Sequence, residues 1–245
     1  MKVTLFIPCL TEHLYPKSGL AMVRVLEHLG HSVEYLDDQT CCGQPAFNSG
    51  YQKEMIPIAE RFIRLFQDCD VVVAPSGSCV AMVRVFYHQL ALAPSLKPGL
   101  DRLSSRLFEF TEFLVEQAGV TAIGGHFPHR VTYHDSCHLS RELGVKTPPR
   151  QLIQSIGGID FVELDPPDLC CGFGGTFSYK FANVSVEMVK RKCESIEATG
   201  AAFCIGADSS CLMNIEGYLR KHGMTAKTLH IAELLSRSLG LEGGA

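Results

Sequence analysis

Several things are missing from this 245-residue chain, and each absence removes a class of function. No stretch approaches the roughly 20 consecutive apolar residues of a membrane-spanning helix. The apolar run at residues 3–8 is too short and too soon broken for a secretion signal. A cytoplasmic protein is therefore expected. There is no basic excess: 22 Lys and Arg against 26 Asp and Glu leave a formal charge of −4, which argues against a nucleic-acid partner. Cys-x-x-Cys does not occur, so a thioredoxin-type centre is not expected. Nor does Gly-x-Gly-x-x-Gly follow a strand. The run from Gly172 through Gly174 and Gly175 to Phe177 does not fit that pattern, so no flavin or nucleotide site is indicated.

Cysteine, by contrast, is abundant and ordered. Eleven are present, and eight fall into a repeated figure. Cys41-Cys42-Gly43 is preceded by Cys9 and followed by Cys79; Cys170-Cys171-Gly172 is preceded by Cys137 and followed by Cys211. The leading intervals are 32 and 33 positions and the trailing ones 37 and 40. In a reducing compartment stable disulfides are disfavoured, so clustered thiols point to metal or redox chemistry. Cys69, Cys193 and Cys204 lie off the pattern and read as small buried hydrophobes.

Apolar periodicity alternates short strands with helices twice over. Strands are expected at 3–8, 31–36, 70–75 and 107–109, then at 130–135, 159–164, 201–205 and 228–230. Helices are expected at 20–29, 53–68, 78–90 and 111–117, then from Pro148 to Gly157, at 180–199, 208–222 and 232–239, with 91–100 as a connector. Alternation of this kind means parallel sheets, so the chain is expected to be α/β. The two pseudo-repeated lobes, each a small parallel sheet flanked by helices, are expected at 1–126 and 127–245. Carboxyl ends of parallel strands share one edge, where ligands bind, and each patterned cysteine falls just after a strand. A glycine after each vicinal pair allows a positive φ that turns both thiols to one centre. Cys79 and Cys211 are expected at helix N-termini, which favour thiolates. Four sulfur ligands per lobe suit an iron–sulfur cluster or zinc. A vicinal disulfide at Cys41-Cys42 or Cys170-Cys171 is the third reading.

The double pattern resembles the cysteine-rich, or CCG, domain family. That family includes the cysteine-rich component of heterodisulfide reductase and the iron–sulfur subunits of glycolate oxidase, and the likeness is nearest to the lactate utilisation protein A and (Fe–S)-binding group. It is sharpest at Tyr133 to Arg141, at Cys170 to Phe177 and at Asp208 to Asn214. The resemblance implies two Rossmann-like lobes, each with a metal centre held by Cys9, Cys41, Cys42 and Cys79 or by Cys137, Cys170, Cys171 and Cys211. It also implies an iron–sulfur electron-transfer subunit of an oxidoreductase that takes L-lactate to pyruvate beside a ferredoxin-like iron–sulfur subunit and a third subunit. Disulfide reduction at a cluster and a zinc-stapled docking scaffold are the other readings. The fullest family pattern ends each motif in Cys-x-x-Cys; here Ser76 and Asp208 stand in place of the first of those cysteines. Four thiolates per lobe remain, and Asp208 offers an oxygen ligand should one lobe hold zinc.

His134 and His138 flank Cys137 and invite a ligand role, with hydrogen bonding of His138 inside the cysteine loop the preferred reading. Arg141 reads equally as an anion holder or a cap on the glycine-rich loop, and His230 as a packing or hydrogen-bonding residue. The glycines at 172, 174 and 175 admit backbone amides to a sulfur site, whereas Pro45 removes one in the first lobe. The second site is therefore expected to be the redox-active one.

Overall fold

The computed structural model describes residues 1–242; the end of the expected second lobe, 243–245, lies outside the described residues. The first half runs β1 (Lys2–Leu5), α1 (Cys9–Leu14), α2 (Pro16–His28), β2 (Ser32–Tyr35), α3 (Gln44–Asn48), α4 (Gln52–Phe66), β3 (Val72–Ala74), α5 (Gly77–Arg84), α6 (Lys97–Ser104), β4 (Leu107–Glu109) and α7 (Phe110–Glu112). The second runs β5 (Arg130–His134), α8 (Thr147–Gln154), β6 (Asp160–Phe161), α9 (Phe177–Lys180), α10 (Ala182–Ala198), β7 (Phe203–Gly206), α11 (Ser209–Lys221), β8 (Lys227–His230) and α12 (Ile231–Ser238). A π-helical turn, Phe113–Gln117, extends α7, and a second one, His138–Glu142, follows Cys137.

Two separate four-stranded sheets result, ordered β2-β1-β3-β4 and β6-β5-β7-β8, with parallel pairing throughout. The orders are the same, and so is the register: Thr4 lies opposite Val72 as Thr132 lies opposite Cys204. Each lobe is thus a Rossmann-like α/β unit used twice.

Strand alternation sorts side chains onto two faces. Val3, Leu5 and Val73 join a core between the sheets, while Phe6, Val72 and Ala74 join an outer core beneath α4 and α5. The central core also takes Met22 and Val25 from α2, Leu152 and Ile153 from α8, Phe113 and Leu114, and Leu234 and Leu235 from α12. Its helices pack across the lobe boundary: α12, which also stays on β7 and β8 of its own half, packs on α2 of the first, and α7 packs on α8. Ser18 donates to Glu233 across that contact at 2.6 Å. Burial of these apolar side chains, at about 25 cal/mol per Å², holds the two lobes as one body.

The differences from the expected elements have local causes. The helix expected from residue 20 starts at Pro16, whose fixed φ suits a first helical turn. The expected connector at 91–100 contains the start of α6, where Pro98 occupies a position whose N–H has no helical partner anyway. The helix expected over 78–90 ends at Arg84 and gives way to a 3-10 turn at Phe86–Gln89. The one expected over 180–199 is split at Phe181, which is not helical (φ −125°, ψ 50°). The strand expected at 159–164 is reduced to Asp160–Phe161, and Cys9 opens an unexpected short helix.

A candidate thiol-rich metal centre between the lobes

The carboxyl edges of both sheets face one another. Cys9 opens α1 after β1, and Cys137 follows β5. Cys79 and Cys211 are each the third residue of the helix after the third strand of their lobe, α5 and α11. The vicinal pairs lie in the loops after β2 and β6. All eight line one cavity of about 370 Å³, which also takes in Ser76, Ser78, Gln44 and Thr176. The expected arrangement was a centre at each of two sheet edges; the structure brings both sets onto a single chamber.

Within each set the thiols are in contact. Cys9 Sγ donates to Cys41 Sγ at 3.5 Å. The Gly43 amide donates to Cys41 Sγ at 3.4 Å, and the Gly172 amide donates to Cys170 Sγ at the same distance. Both glycines have φ near +80°. A Cβ at Gly172 would come within 2.7 Å of the Ser185 carbonyl, so the loop there admits no side chain. Hydrogen bonds from Cys42 and Cys9 pull Cys41 down to about 3. Those from Cys137 and Cys171 pull Cys170 down to about 2. Their donors Cys9, Cys42, Cys137 and Cys171 are raised in return, with burial adding to the effect. Each set thus presents a thiolate, the form that binds metal. None of the eleven cysteines is disulfide-bonded, so neither vicinal pair is bridged.

Between the two sets runs a buried polar bridge. One Asp208 oxygen accepts from Ser76 Oγ (2.7 Å), Ser78 Oγ (2.7 Å) and the Ser78 amide (3.1 Å), and the other accepts from Ser136 Oγ. Ser76 caps α5 by accepting from the Cys79 amide at 3.3 Å, whereas Asp208, at the same place before α11, reaches into the other lobe. Its carboxylate is therefore committed to hydroxyls and an amide, and the oxygen ligand considered for zinc is spoken for. His230 makes a second bridge. Its Nδ1 accepts from the Ala232 amide (3.2 Å), which leaves Nε2–H to donate to the Pro75 carbonyl of the first lobe (3.1 Å).

Below the thiols the lobes differ. Under the first set Phe6 meets Phe62 edge-on, ring centroids 4.7 Å apart, with Phe66 beside them. In the repeat register the places of Phe6 and Phe62 become His134 and Lys192, both fully buried. Burial, reinforced by the Lys192 charge, holds His134 down at about 3. Burial also lowers Lys192, while Cys204, Cys171 and Asp135 work to keep it charged. Lys192 Nζ donates to the Pro167 carbonyl at 3.4 Å. A ring nitrogen of His134 and the sulfurs of Cys171 and Cys211 lie within 4.8 Å of one another. Sequence reasoning missed Lys192, which sits in a run of charged residues on α10; the signal was its register with Phe62. The Ser76–Ser78–Ser136–Asp208 bridge was missed as well.

The remaining sequence candidates are structural. His138 Nδ1 lies 3.8 Å from Cys137 Sγ, and its ring packs edge-on against Phe86. Arg141 donates to the Asp168 carbonyl at 2.8 Å and so clamps the loop before Cys170. Cys69, Cys193 and Cys204 do not line the chamber; burial pushes the latter two up to about 12. The donor set, eight sulfurs on the chamber with the unpartnered His134 imidazole beside two of them, Cys171 and Cys211, fits a soft metal such as cluster iron or zinc.

Two Rossmann-like lobes that turn eight thiols onto one chamber define a cysteine-rich, two-lobed α/β protein. The chain belongs to the cysteine-rich (CCG) domain family, whose model matches residues 3–84 and 131–216. It is 46% identical to lactate utilization protein A of an Exiguobacterium species, over 97% of this chain and 98% of that one. It is 43% identical to lactate utilization protein A of Bacillus subtilis, over 96% and 99%. A solved structure of a hypothetical protein from Helicobacter pylori superposes with a TM-score of 0.64 at 10% identity, over 99% of this chain and 49% of that one, a likeness of fold alone.

Proposed function

We propose that this protein is an iron–sulfur electron-transfer subunit of a complex that oxidises L-lactate to pyruvate. The observation that carries the reading is the convergence of eight patterned thiols on one chamber, in a chain similar along its whole length to proteins named for lactate utilization. Cys9, Cys41, Cys42 and Cys79 would hold one centre, and Cys137, Cys170, Cys171 and Cys211 the other. An iron–sulfur cluster bound there supplies one-electron transfer. The chain's own residues do the rest. Cys41 and Cys170 offer thiolates. The Gly43 and Gly172 amides direct hydrogen bonds at sulfur. The Asp208 bridge fixes the spacing of the two sets. No helix among the described residues is long and apolar enough to cross a membrane. The partners on this reading are a ferredoxin-like iron–sulfur subunit and a third subunit, in the cytoplasm, with the flavin or nucleotide chemistry elsewhere in the complex.

A second reading, disulfide reduction at a cluster, is favoured by the shared chamber itself, since both thiol sets face the same space. Anaerobic purification with iron, acid-labile sulfide and zinc analysis tests the first premise. The expected preparation is brown and carries iron and sulfide lost on replacing patterned cysteines. A colourless protein holding zinc alone after reconstitution overturns it in favour of a zinc-stapled scaffold. Turnover with lactate against a disulfide substrate, partners present, then separates the two redox readings.

A further inference from the structure

His134 ends β5, is 1% exposed, and neither of its ring nitrogens has a hydrogen-bond partner. A neutral imidazole carries one donor and one acceptor, and buried polar groups are paired with few exceptions. An orphaned ring in a protein interior needs an explanation, and two neighbouring thiols of the second set supply one. The ring nitrogen, Cys171 Sγ and Cys211 Sγ form a triangle with no side longer than 4.8 Å, small enough for three donors to share one metal ion. Of the carboxylates nearby, Asp208 is taken up by Ser76, Ser78 and Ser136, and Asp135 by Arg150. His138, the other histidine beside Cys137, lines the chamber but its Nδ1 is partnered by Cys137 Sγ at 3.8 Å and its ring packs edge-on against Phe86.

The repeat gives an internal control. Phe6 occupies the corresponding place in the first lobe and packs edge-on against Phe62. The fold therefore accepts an aromatic ring there with no polar atom at all. Its presence as histidine in the second lobe, with both nitrogens unmet, is a departure from what packing requires.

We propose that His134 is a ligand of the metal centre held by Cys137, Cys170, Cys171 and Cys211, and that the first centre has no imidazole ligand. The inference rests on the reading that the patterned cysteines hold metal, and it adds a nitrogen donor to one of two otherwise all-sulfur sites. The site would accept cluster iron or zinc, both of which bind imidazole.

Pulsed electron paramagnetic resonance on the full-length, anaerobically reconstituted and reduced protein tests it, using protein with natural-abundance and with 15N-labelled histidine. Should zinc be the metal found, cobalt(II) substitution gives the same readout. The expected result is a strong imidazole nitrogen coupling that converts to the 15N pattern on labelling. It should disappear in His134→Phe, which copies the first lobe, and persist in His138→Phe and in Cys42→Ser. Wild-type protein with full metal content and no such coupling overturns the inference, as does a coupling that survives in His134→Phe. If that variant fails to fold, a wild-type coupling that persists in His138→Phe supports the inference, and its absence from either overturns it. Protein that takes up no metal at all overturns the metal-centre reading itself, a distinguishable failure that removes the inference with it.

Discussion

The two lobes share strand order, register and cysteine placement, yet they stand on different ground. Phe6, Phe62 and Phe66 floor the first thiol set with packed aromatic rings. His134, Lys192 and Ile196 occupy the same places under the second. The amide-to-sulfur contacts, by contrast, match at Gly43 and Gly172, both 3.4 Å. The sequence expectation of unequal sites rests on Pro45 in the first loop and on the histidine beside Cys137 in the second lobe; the structure adds a further difference, the ionisable pair below the thiols. A buried cation beside an anionic cluster favours its reduced, more negative form and raises its potential. An aromatic floor offers no such charge. The comparison teaches that a duplicated fold can keep its ligands and divide its roles by changing the residues beneath them.

The largest expected effect comes from the bridge that both lobes share. Asp208→Ala leaves Ser76, Ser78 and Ser136 facing an empty buried space and should cost about 3 kcal/mol, read as a fall in the denaturation midpoint. Asp208→Asn, which keeps an acceptor, should cost less. If Asp208→Ala left stability unchanged, the lobes would not depend on this bridge. Next, Lys192→Met should lower the midpoint potential of one centre by the equivalent of about 1–2 kcal/mol while iron content holds. Phe62→Met, its counterpart, should move neither potential. Equal shifts in the two variants would erase the distinction between the floors.

The caps that end the fourth strands sharpen the comparison in another way. Glu109 is fully buried and pushed up to about 8 by burial, so it is protonated in the folded protein where an unfolded glutamate is ionised. Its contribution is fully present below about pH 4.5 and is lost as the pH rises through 8. His230, the equivalent cap, is lowered by burial, so its contribution is present above the ordinary histidine range and lost as the pH falls through its folded value. Glu109→Gln should flatten the loss of stability between about pH 5 and 8. A profile that still falls over that window would show that other groups set it. The smallest effect is expected at Cys193, whose thiol lies in the second lobe's core and off the chamber. Cys193→Ser should bind metal and pass electrons near normally, with a modest loss of stability.

Much of this arrangement is legible in the sequence because parallel strands leave a simple signature. The short apolar runs before Cys9, Cys79, Cys137 and Cys211 identify the strands, and the shared carboxyl edge then groups the thiols without further information. Three features were not legible, for physical reasons. The packing of α7 and α12 across the lobe boundary depends on which amphipathic faces meet, and periodicity shows a face but not its partner. Ser76 and Asp208 look like lost ligands in the sequence, and their pairing across the chamber appears only when the lobes are set face to face. Lys192 reads as a surface residue in a charged stretch of helix, although its register with Phe62 marks it as buried.

The central claim is that both thiol sets hold redox centres and that the second lobe's is the one that turns over. A potentiometric titration of wild-type protein, Cys42→Ser and Cys171→Ser, with iron content and lactate-dependent electron transfer followed in the assembled complex, tests it most directly. The account predicts two resolved potentials in the wild type. Cys171→Ser should lose the higher one together with electron transfer, and Cys42→Ser should lose the lower one and keep some turnover. Loss of activity in Cys42→Ser, with metal content and turnover unchanged in Cys171→Ser, would contradict it.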